Sequence, residues 1–250
     1  MLLKSIFLGI VQGLTEFFPI SSSGHLVFFQ EIFGLKEPEI LFDVVLHLGT
    51  LLAILIYLRK DLVTLLKNIR FLFLIILGNF FTALVALPFK ETVEKFFVDS
   101  LYPAVFLIIT GILLFSASKF SKGSKTIENF SIIEVIFVGI VQGISVLPGI
   151  SRSGATISTG MFLGWNRIDS AKFSFLISIP SVLGATIIEA KKVPISGFAP
   201  SDFIAGFVFA LISGIFALYF LFGILGKAKL HYFSYYCWVV GVIVLLIRIF

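Results

Sequence analysis

Six stretches of the chain, each 18 to 24 residues long, consist almost entirely of apolar residues. An α-helix needs about 20 such residues to cross the hydrocarbon core of a membrane. Charged residues make up 13% of the 250 residues, about half the fraction found in soluble domains, so a soluble fold could not hide this apolar surface. The pattern predicts an all-α polytopic membrane protein with about six spanning helices and excludes a soluble enzyme. The predicted spans are 41–58, 71–89, 101–118, 173–190 with a kink at Pro180, 203–226 and 233–250.

Two further segments, 5–30 and 132–165, begin as apolar helices and then break at Pro, Gly and Ser. With an offset of 130 positions, residues 5–25 match residues 135–155 at 11 of 21 positions without a gap. Apolar low complexity would align Ile and Val, but not a Gln, two Gly and a Ser-x-Ser-Gly in register. We interpret residues 1–250 as a single integral-membrane domain formed by internal duplication, with repeat 1 at about 1–125 and repeat 2 at about 130–250.

The two broken segments are predicted to be re-entrant helical hairpins, because irregular backbone at membrane depth must be buried in protein or line a wet cavity. One hairpin and three crossings in the first repeat give an inverted topology for the second. The loops at 59–70, 119–125, 167–172 and 227–229 hold 11 of the 19 basic residues, so they are expected in the cytoplasm. The pair Lys191 and Lys192 falls on the opposite side in this topology.

An ionisable side chain at membrane depth is costly and indicates a function. The first hairpin contains Glu16 and His25, and the second contains Arg152. Neither hairpin alone holds both charge types, so the two are expected to meet. The Arg152 guanidinium matches two phosphate oxygens, and free N–H groups at a helix start add further donors. The remaining anion-binding positions predicted in the two breaks are Ser21, Ser22, Ser23, Gly149, Ser151, Ser153, Gly154 and Thr156. This pattern indicates an anion more firmly than a phosphate, since chloride or a carboxylate could use the same groups.

Glu16 and His25 add acid–base chemistry that a simple anion site does not need. Glu16 could carry a proton, or it could hold a Mg²⁺ or Ca²⁺ ion that bridges to phosphate oxygens. His25 or a Ser hydroxyl could attack phosphorus, or His25 could activate water. The equivalent positions of the second repeat are Val146 and Ala155. This asymmetry is what catalysis requires and a symmetric channel does not.

Three other polar positions are of interest. Asp43 and His47 lie one helical turn apart, and a structural pair is favoured over a role in lining the cavity. Gln12 and Gln142 occupy equivalent repeat positions, so a helix–helix hydrogen bond is favoured and a site role for Gln12 is the second interpretation. Cys237 stands alone in an apolar run and is interpreted as a packing residue.

At the two broken segments the sequence resembles the integral-membrane undecaprenyl-diphosphate phosphatases, also called bacitracin-resistance proteins. That family is marked by (E/Q)-x-x-x-E followed by P-x-S-S-x-G-H, and by P-G-x-S-R-S-x-x-T. Here these motifs stand at 12–16, 19–25 and 148–156, and the stretches 42–50 and 173–180 are also similar to the family. At the first position of the first motif, where some members have Glu, this chain has Gln12.

The resemblance implies hydrolysis of undecaprenyl diphosphate to undecaprenyl phosphate and inorganic phosphate. That reaction recycles the lipid carrier of cell-wall peptidoglycan synthesis and gives bacitracin resistance. The implied catalytic residues are Glu16, His25, Ser22 as one candidate nucleophile beside His25 and water, and Arg152 with its Ser and Thr neighbours on the diphosphate. A divalent cation, Mg²⁺ or Ca²⁺, would be held by Glu16 and less firmly by Gln12.

The implied location is the bacterial cytoplasmic (inner) membrane, with the active site opening to the outer face. The expected partners are the polyprenyl diphosphate lipid and membrane lipids, with a homodimer left open and no nucleic acid. The alternative function is a transporter that flips a polyprenyl phosphate, since inverted repeats with broken helices are typical of transporters. The acid–base asymmetry between the repeats favours the phosphatase.

Overall fold

The protein, seen in a computed structural model, is described over residues 1–33, 40–97, 99–190 and 199–249. In these ranges the chain forms α-helices and two short 3-10 helices, and no strand. The α-helices are α1 (Leu2–Phe17), α2 (Ser22–Ile32), α3 (Ile40–Tyr57), α4 (Arg59–Leu65), α5 (Ile69–Ala86), α6 (Lys90–Phe96), α7 (Leu101–Phe120), α8 (Ile132–Ile144), α9 (Arg152–Phe162), α10 (Arg167–Ala190), α11 (Pro200–Gly226) and α12 (His231–Ile249). The 3-10 helices are Leu87–Phe89 and Ile127–Asn129.

Each of the six predicted spans is a helix. Five helices are long and apolar enough to cross a membrane, namely α5, α7, α10, α11 and α12. The sixth, α3, continues into α4 with a bend of 72°, so the connection predicted at 59–70 contains a short helix. The prediction of an all-α polytopic membrane protein with about six spans is confirmed.

The span predicted at 173–190 starts earlier than expected. Residues 167–172 were predicted as a loop, but α10 begins at Arg167. The reason is a cap, because the Asn166 side chain accepts a hydrogen bond from the backbone N–H of Asp169 at 2.9 Å. Pro180 lies inside this helix without ending it. The Lys191 and Lys192 pair lies outside the described residues.

Two helical hairpins, α1–α2 and α8–α9, occupy the broken segments, and the two helices of each hairpin pack on one another. The four helices contain 16, 11, 13 and 11 residues, so each is shorter than a typical membrane span. The second helix of each hairpin starts at an N-cap serine. Ser21 Oγ accepts from Gly24 N at 3.3 Å, and Ser151 Oγ accepts from Gly154 N at 3.0 Å.

The two hairpins pack on the spanning helices in a corresponding way. Helix α1 packs against α11 of the second half, and α8 packs against α5 of the first half. In the first contact a side chain at Gly9 would collide with the backbone of Gly206, and in the second a side chain at Gly139 would collide with the backbone of Gly78. Each hairpin therefore lies against a spanning helix of the other half, and both contacts need glycine for the same steric reason.

The connections predicted to share one face contact one another. Lys172 pairs with Asp61 at 2.6 Å, and Arg70 donates to the carbonyl of Phe130 at 2.6 Å. At the other end of the helices Arg248 lies 3.3 Å from Asp99. These contacts form one rim around Asp61, Lys172 and Arg70 and a second rim around Asp99 and Arg248.

The main apolar core lies between the hairpins and the spans. It joins Phe17 of α1, Ile157 of α9, Leu107 of α7 and Phe175 of α10, each fully buried. Phe17 and Phe175 contact each other edge to face with ring centroids 5.5 Å apart. This packing fixes the last turn of α1 and the start of α9, which carry the polar residues of the site.

Candidate active site

The Glu16 carboxylate is the point where the two hairpins meet. Its Oε1 accepts from Arg152 Nη2 at 2.5 Å. Its Oε2 accepts from Ser22 Oγ at 2.6 Å and from Gln12 Nε2 at 3.2 Å. His47 Nε2 lies 3.9 Å from the same Oε2. One acidic side chain therefore binds a cation, a hydroxyl and an amide, and faces an imidazole.

These contacts follow from where each residue stands on its helix. Gln12 and Glu16 are one turn apart on α1, so they share a face. Ser22 is the first residue of α2, and Arg152 is the first residue of α9. Positions 22 and 152 differ by the 130-residue offset of the sequence match, and both side chains bond to the same carboxylate.

The pair is buried, with the Glu16 side chain 8% exposed and Arg152 16% exposed. A buried charge is costly unless it is paired and hydrogen-bonded, and Glu16 meets both conditions. Two buried atoms next to the pair have no hydrogen-bond partner in the described part of the chain, namely Arg152 Nη1 and Gln12 Oε1. A donor for an anion and an acceptor for a cation thus remain available on either side of Glu16.

Ser21 joins the two hairpins through its side chain. Its Oγ accepts from the backbone N–H of Gly149 at 3.1 Å, in addition to capping α2. Ser21 has φ 68°, a left-handed conformation that is strained for a residue other than glycine. This bond and the Glu16–Arg152 pair confirm that the two hairpins meet.

The break in the second hairpin is held by Thr110 of α7. Its Oγ1 donates to the Gly149 carbonyl at 3.0 Å and accepts from Ser151 N at 3.0 Å. Gly149 has φ 97°, and a side chain there would also collide with the backbone of Pro103. The turn that carries Arg152 is therefore fixed by glycine and by one threonine.

His25 uses both ring nitrogens within the protein. Its Nδ1 donates to the Ser21 carbonyl at 2.8 Å, and its Nε2 lies 2.8 Å from the Tyr236 hydroxyl. The two rings are stacked, with centroids 5.6 Å apart and planes 13° apart. His25 is buried and supports the strained Ser21 turn, so it does not bond to Glu16 in this arrangement.

The other hydroxyls predicted to bind an anion lie behind Ser22 and Arg152. Ser23 Oγ lies 3.3 Å from Ser21 Oγ, and Ser153 Oγ lies 3.2 Å from Ser151 Oγ. Thr156 Oγ1 lies 2.6 Å from the hydroxyl of Ser174 on α10 and donates to the Arg152 carbonyl at 2.8 Å. Gly154 stands in contact with Ser151 and with Pro19 of the first hairpin.

The other polar residues considered in the sequence have different partners in the structure. Gln142 donates to Thr82 of α5 at 3.0 Å, which confirms a helix–helix bond. The same interpretation was wrong for Gln12, because Gln12 bonds to Glu16 in its own helix. His47 Nδ1 donates to the Asp43 carbonyl at 2.8 Å, whereas its Nε2 faces Glu16.

Sequence reasoning gave His47 too little weight and missed Tyr236 and Thr110. An imidazole in an apolar span was a signal for His47. Tyr236 is 211 residues from His25, and Thr110 stands in an ordinary spanning helix. For these two no local pattern in the sequence indicates a role.

The described residues contain no group of three His, Cys, Asp or Glu side chains that could hold a metal ion. The oxygens that could hold a cation are those of the Glu16 carboxylate and the unpartnered Oε1 of Gln12, whose Nε2 bonds to Glu16. A hard cation such as Mg²⁺ is often held by one or two such oxygens together with phosphate oxygens of the substrate. The donor set therefore fits a cation that is completed by a phosphate-bearing ligand.

Known proteins are similar to this chain in sequence over nearly its whole length. Residues 5–243 match the family model described as bacitracin resistance protein BacA. A protein of Carboxydothermus hydrogenoformans named undecaprenyl-diphosphatase is 45% identical over 252 residues, which cover 98% of this chain and 97% of that protein. Undecaprenyl-diphosphatases of Methanobrevibacter smithii and Alkaliphilus metalliredigens are 38% and 39% identical, each over 97% of this chain and 96% and 97% of their own lengths.

Proposed function

The chain belongs to the bacitracin resistance protein BacA family, and from this premise we propose that it hydrolyses undecaprenyl diphosphate. The products are undecaprenyl phosphate and inorganic phosphate. The observation that carries the proposal is the Glu16 carboxylate, which is bonded at once to the Ser22 hydroxyl and the Arg152 guanidinium. A base, a nucleophile and an anion-binding cation within reach of one another form the core of a phosphoryl-transfer site.

Arg152 binds the diphosphate in this proposal. Its Nη1 is buried and unpartnered in the described structure, and its fork suits two phosphate oxygens. The first turns of α2 and α9 add backbone N–H groups and the positive ends of two helix dipoles. Because the diphosphate competes with Glu16 for the guanidinium, substrate binding weakens the Glu16–Arg152 pair and makes the carboxylate a better base.

Ser22 attacks the terminal phosphorus. Its Oγ donates to Glu16 Oε2 at 2.6 Å, the separation expected of a nucleophile and its general base. As the Oγ–P bond forms, the proton passes to Glu16 and the bond from phosphorus to the bridging oxygen breaks. The bridging oxygen keeps the electron pair and leaves with undecaprenyl phosphate. Water then attacks the phosphoserine phosphorus and the Oγ–P bond breaks. A proton from the water returns to Ser22 Oγ, and inorganic phosphate is released.

His25 acts next to this centre. Its Nδ1 holds the Ser21 carbonyl, and its Nε2 is bonded to the Tyr236 hydroxyl, so a proton exchanged with bound phosphate would pass through that hydroxyl. The remaining predicted residues keep Ser22 and Arg152 in place through the two turns and the bonds behind them. They are Ser21, Ser23, Gly149, Ser151, Ser153, Gly154 and Thr156.

A divalent cation is part of the proposal. Glu16 and Gln12 Oε1 would hold it together with diphosphate oxygens, and Mg²⁺ and Ca²⁺ both suit such donors. When bound, it neutralises charge on the phosphate groups. A single carboxylate is a weak site by itself, so we expect the affinity for the cation to depend on the presence of substrate.

The proposed location is the bacterial cytoplasmic membrane, with the site open to the outer face. The rim around Asp61, Lys172 and Arg70 carries the connections predicted to be cytoplasmic. The opposite rim contains Asp99 and Arg248. An outer opening gives access to a lipid diphosphate left behind when cell-wall units have been transferred.

The test is phosphate release by purified protein in detergent, with undecaprenyl diphosphate as substrate and Mg²⁺ or Ca²⁺ present. We expect steady release by the wild type, loss of release in EDTA, and a drop of about 10³-fold in kcat for Glu16→Gln. The matched control is Val146→Gln at the equivalent position of the second hairpin. Movement of a polyprenyl phosphate across liposomes without phosphate release would replace the phosphatase with the transporter.

A further inference from the structure

His47 stands at the edge of the site with one ring nitrogen fixed. Its Nδ1 donates to the Asp43 carbonyl at 2.8 Å, a contact within one turn of α3. Since a carbonyl can only accept, Nδ1 carries a proton, and in the neutral ring Nε2 has the free lone pair. Nε2 is the nitrogen that faces Glu16 at 3.9 Å. The backbone of α3 therefore presents a proton acceptor to the carboxylate.

The two oxygens of Glu16 have different neighbours. Oε1 is taken by Arg152, whereas Oε2 accepts from Ser22 and also faces His47. A proton removed from Ser22 arrives on Oε2, on the side of the carboxylate next to His47. The imidazole side chain is 32% exposed, so it has room to turn and can exchange protons with water.

A protonated Glu16 would be a poor resting state for this site. Once the product has left, neutral Glu16 no longer balances the buried Arg152 charge, and an uncompensated buried charge is strongly destabilising. Glu16 is also needed as a carboxylate again to activate the water that hydrolyses the phosphoserine. A second acceptor next to Oε2 solves both problems.

We infer that His47 is the second proton acceptor of the reaction, an inference that rests on the proposed phosphatase function. The Ser22 Oγ–H bond breaks as the Oγ–P bond forms, and the proton passes to Glu16 Oε2 and then to His47 Nε2. The imidazolium gives this proton to the departing undecaprenyl phosphate or to water, and the ring returns to its neutral state. No oxidant, reductant or other reactant is required.

The distance fits a transfer that occurs during the reaction. The gap of 3.9 Å is about 1 Å longer than an ordinary hydrogen bond. A small rotation of the partly exposed ring, or one bridging water, closes it. Oε1 is on the side of Arg152 and Oε2 is on the side of His47, so the transfer uses Oε2 alone.

The experiment compares His47→Gln and His47→Ala with wild type in phosphate release from undecaprenyl diphosphate. Both variants are expected to lose about 10²-fold in kcat, the usual size of a general acid–base contribution, while KM changes less than threefold. Free imidazole should restore the Ala variant at least tenfold by entering the vacated space, and it should leave the Gln variant unchanged. His231→Gln, at a histidine that faces Ser118 on another part of the molecule, is the control and should keep full activity.

The outcomes separate the two proposals. A wild type that releases no phosphate contradicts the phosphatase function itself. If the wild type is active and His47→Gln stays within threefold of its kcat, the relay is wrong and the phosphatase stands. A folded Ala variant that is inactive and ignores imidazole assigns His47 a packing role and also overturns the relay. Should either variant elute from size exclusion as aggregate, His47→Asn, whose amide can still donate to the Asp43 carbonyl, is measured instead and must show the same loss of kcat.

Discussion

Ser21 and Ser151 occupy equivalent positions in the two hairpins, and each caps the helix that follows it. Ser21 has φ 68° and Ser151 has φ −72°, so only the first hairpin has backbone strain at its cap. The first is also the hairpin that carries Glu16, Ser22 and His25. Strain of this kind is retained where the surrounding contacts hold it and where function benefits. The comparison suggests that the first hairpin performs chemistry and the second provides a rigid holder for Arg152.

The same difference appears one residue later. Ser22 and Arg152 begin their helices at equivalent positions, and both bond to Glu16. The two hairpins thus place a hydroxyl and a guanidinium at equivalent positions on one carboxylate. Position 146, which is equivalent to Glu16, holds a Val that is 38% exposed, so the second hairpin offers no matching base.

The hydrogen bonds that hold the two breaks in place also differ in strength. Thr110 makes two hydrogen bonds of 3.0 Å to the second break. Cys237, on α12, makes one contact of 3.8 Å to the Pro19 carbonyl in the first. A thiol is a weak donor, so the first break is held less firmly from this side and depends more on His25.

The largest effect is expected at the nucleophile. Ser22→Ala removes the attacking oxygen and leaves Glu16 and Arg152 in place, so kcat should fall by about 10³-fold or more. Ser145→Ala is the control and should leave kcat unchanged, because the Ser145 hydroxyl donates to the Val141 carbonyl and not to a residue of the site. Phosphate release measures both. A Ser22→Ala variant within tenfold of wild type would move the attack to water or to His25.

A somewhat smaller loss is expected at the equivalent residue of the second hairpin. Arg152→Lys keeps the charge and the pair with Glu16 but loses the planar fork. We expect kcat/KM for undecaprenyl diphosphate to fall about 10²-fold, mostly through binding. Steady-state kinetics over a range of substrate concentrations separate KM from kcat. Near-normal kinetics would take Arg152 out of the diphosphate site.

Because the two breaks are held by hydrogen bonds of different strength, removing those bonds should lower the unfolding free energy by different amounts. Thr110→Val leaves the buried Gly149 carbonyl and Ser151 N–H without their partner, so unfolding free energy should fall by about 1–3 kcal/mol. Cys237→Ser keeps a donor for the Pro19 carbonyl and should change stability by less than about 0.5 kcal/mol. Thermal unfolding in the same detergent compares them. Equal losses would mean that both breaks are held equally.

The smallest effect is expected at the partner of His25. Tyr236→Phe keeps the stacked ring and removes one neutral hydrogen bond, which contributes about 1 kcal/mol, so kcat should fall about fivefold. Tyr235→Phe, whose ring packs against Phe115 and Trp238, is the control with no expected loss. If kcat of Tyr236→Phe equals that of Tyr235→Phe, the hydroxyl does not support His25.

Much of this protein is determined by its sequence alone. The spans follow from apolar runs of membrane length, because lipid forces each such run to satisfy its own backbone as a helix. The hairpins follow from Pro, Gly and Ser that interrupt such runs, and their equivalence follows from an exact 130-residue offset. Glu16, His25 and Arg152 were identifiable because charge at membrane depth is costly unless it has a use.

Only the tertiary structure determines which of these groups bond to one another. Glu16 and Arg152 are 136 residues apart, and His25 and Tyr236 are 211 apart, so their contacts depend on how the halves pack and not on any local pattern. His47 joins the site for the same reason, since α3 and α1 both pack against α11, whereas Gln12 reaches Glu16 within α1. A sequence fixes which side chains are costly to bury. Only the packed structure determines which partner makes each burial possible.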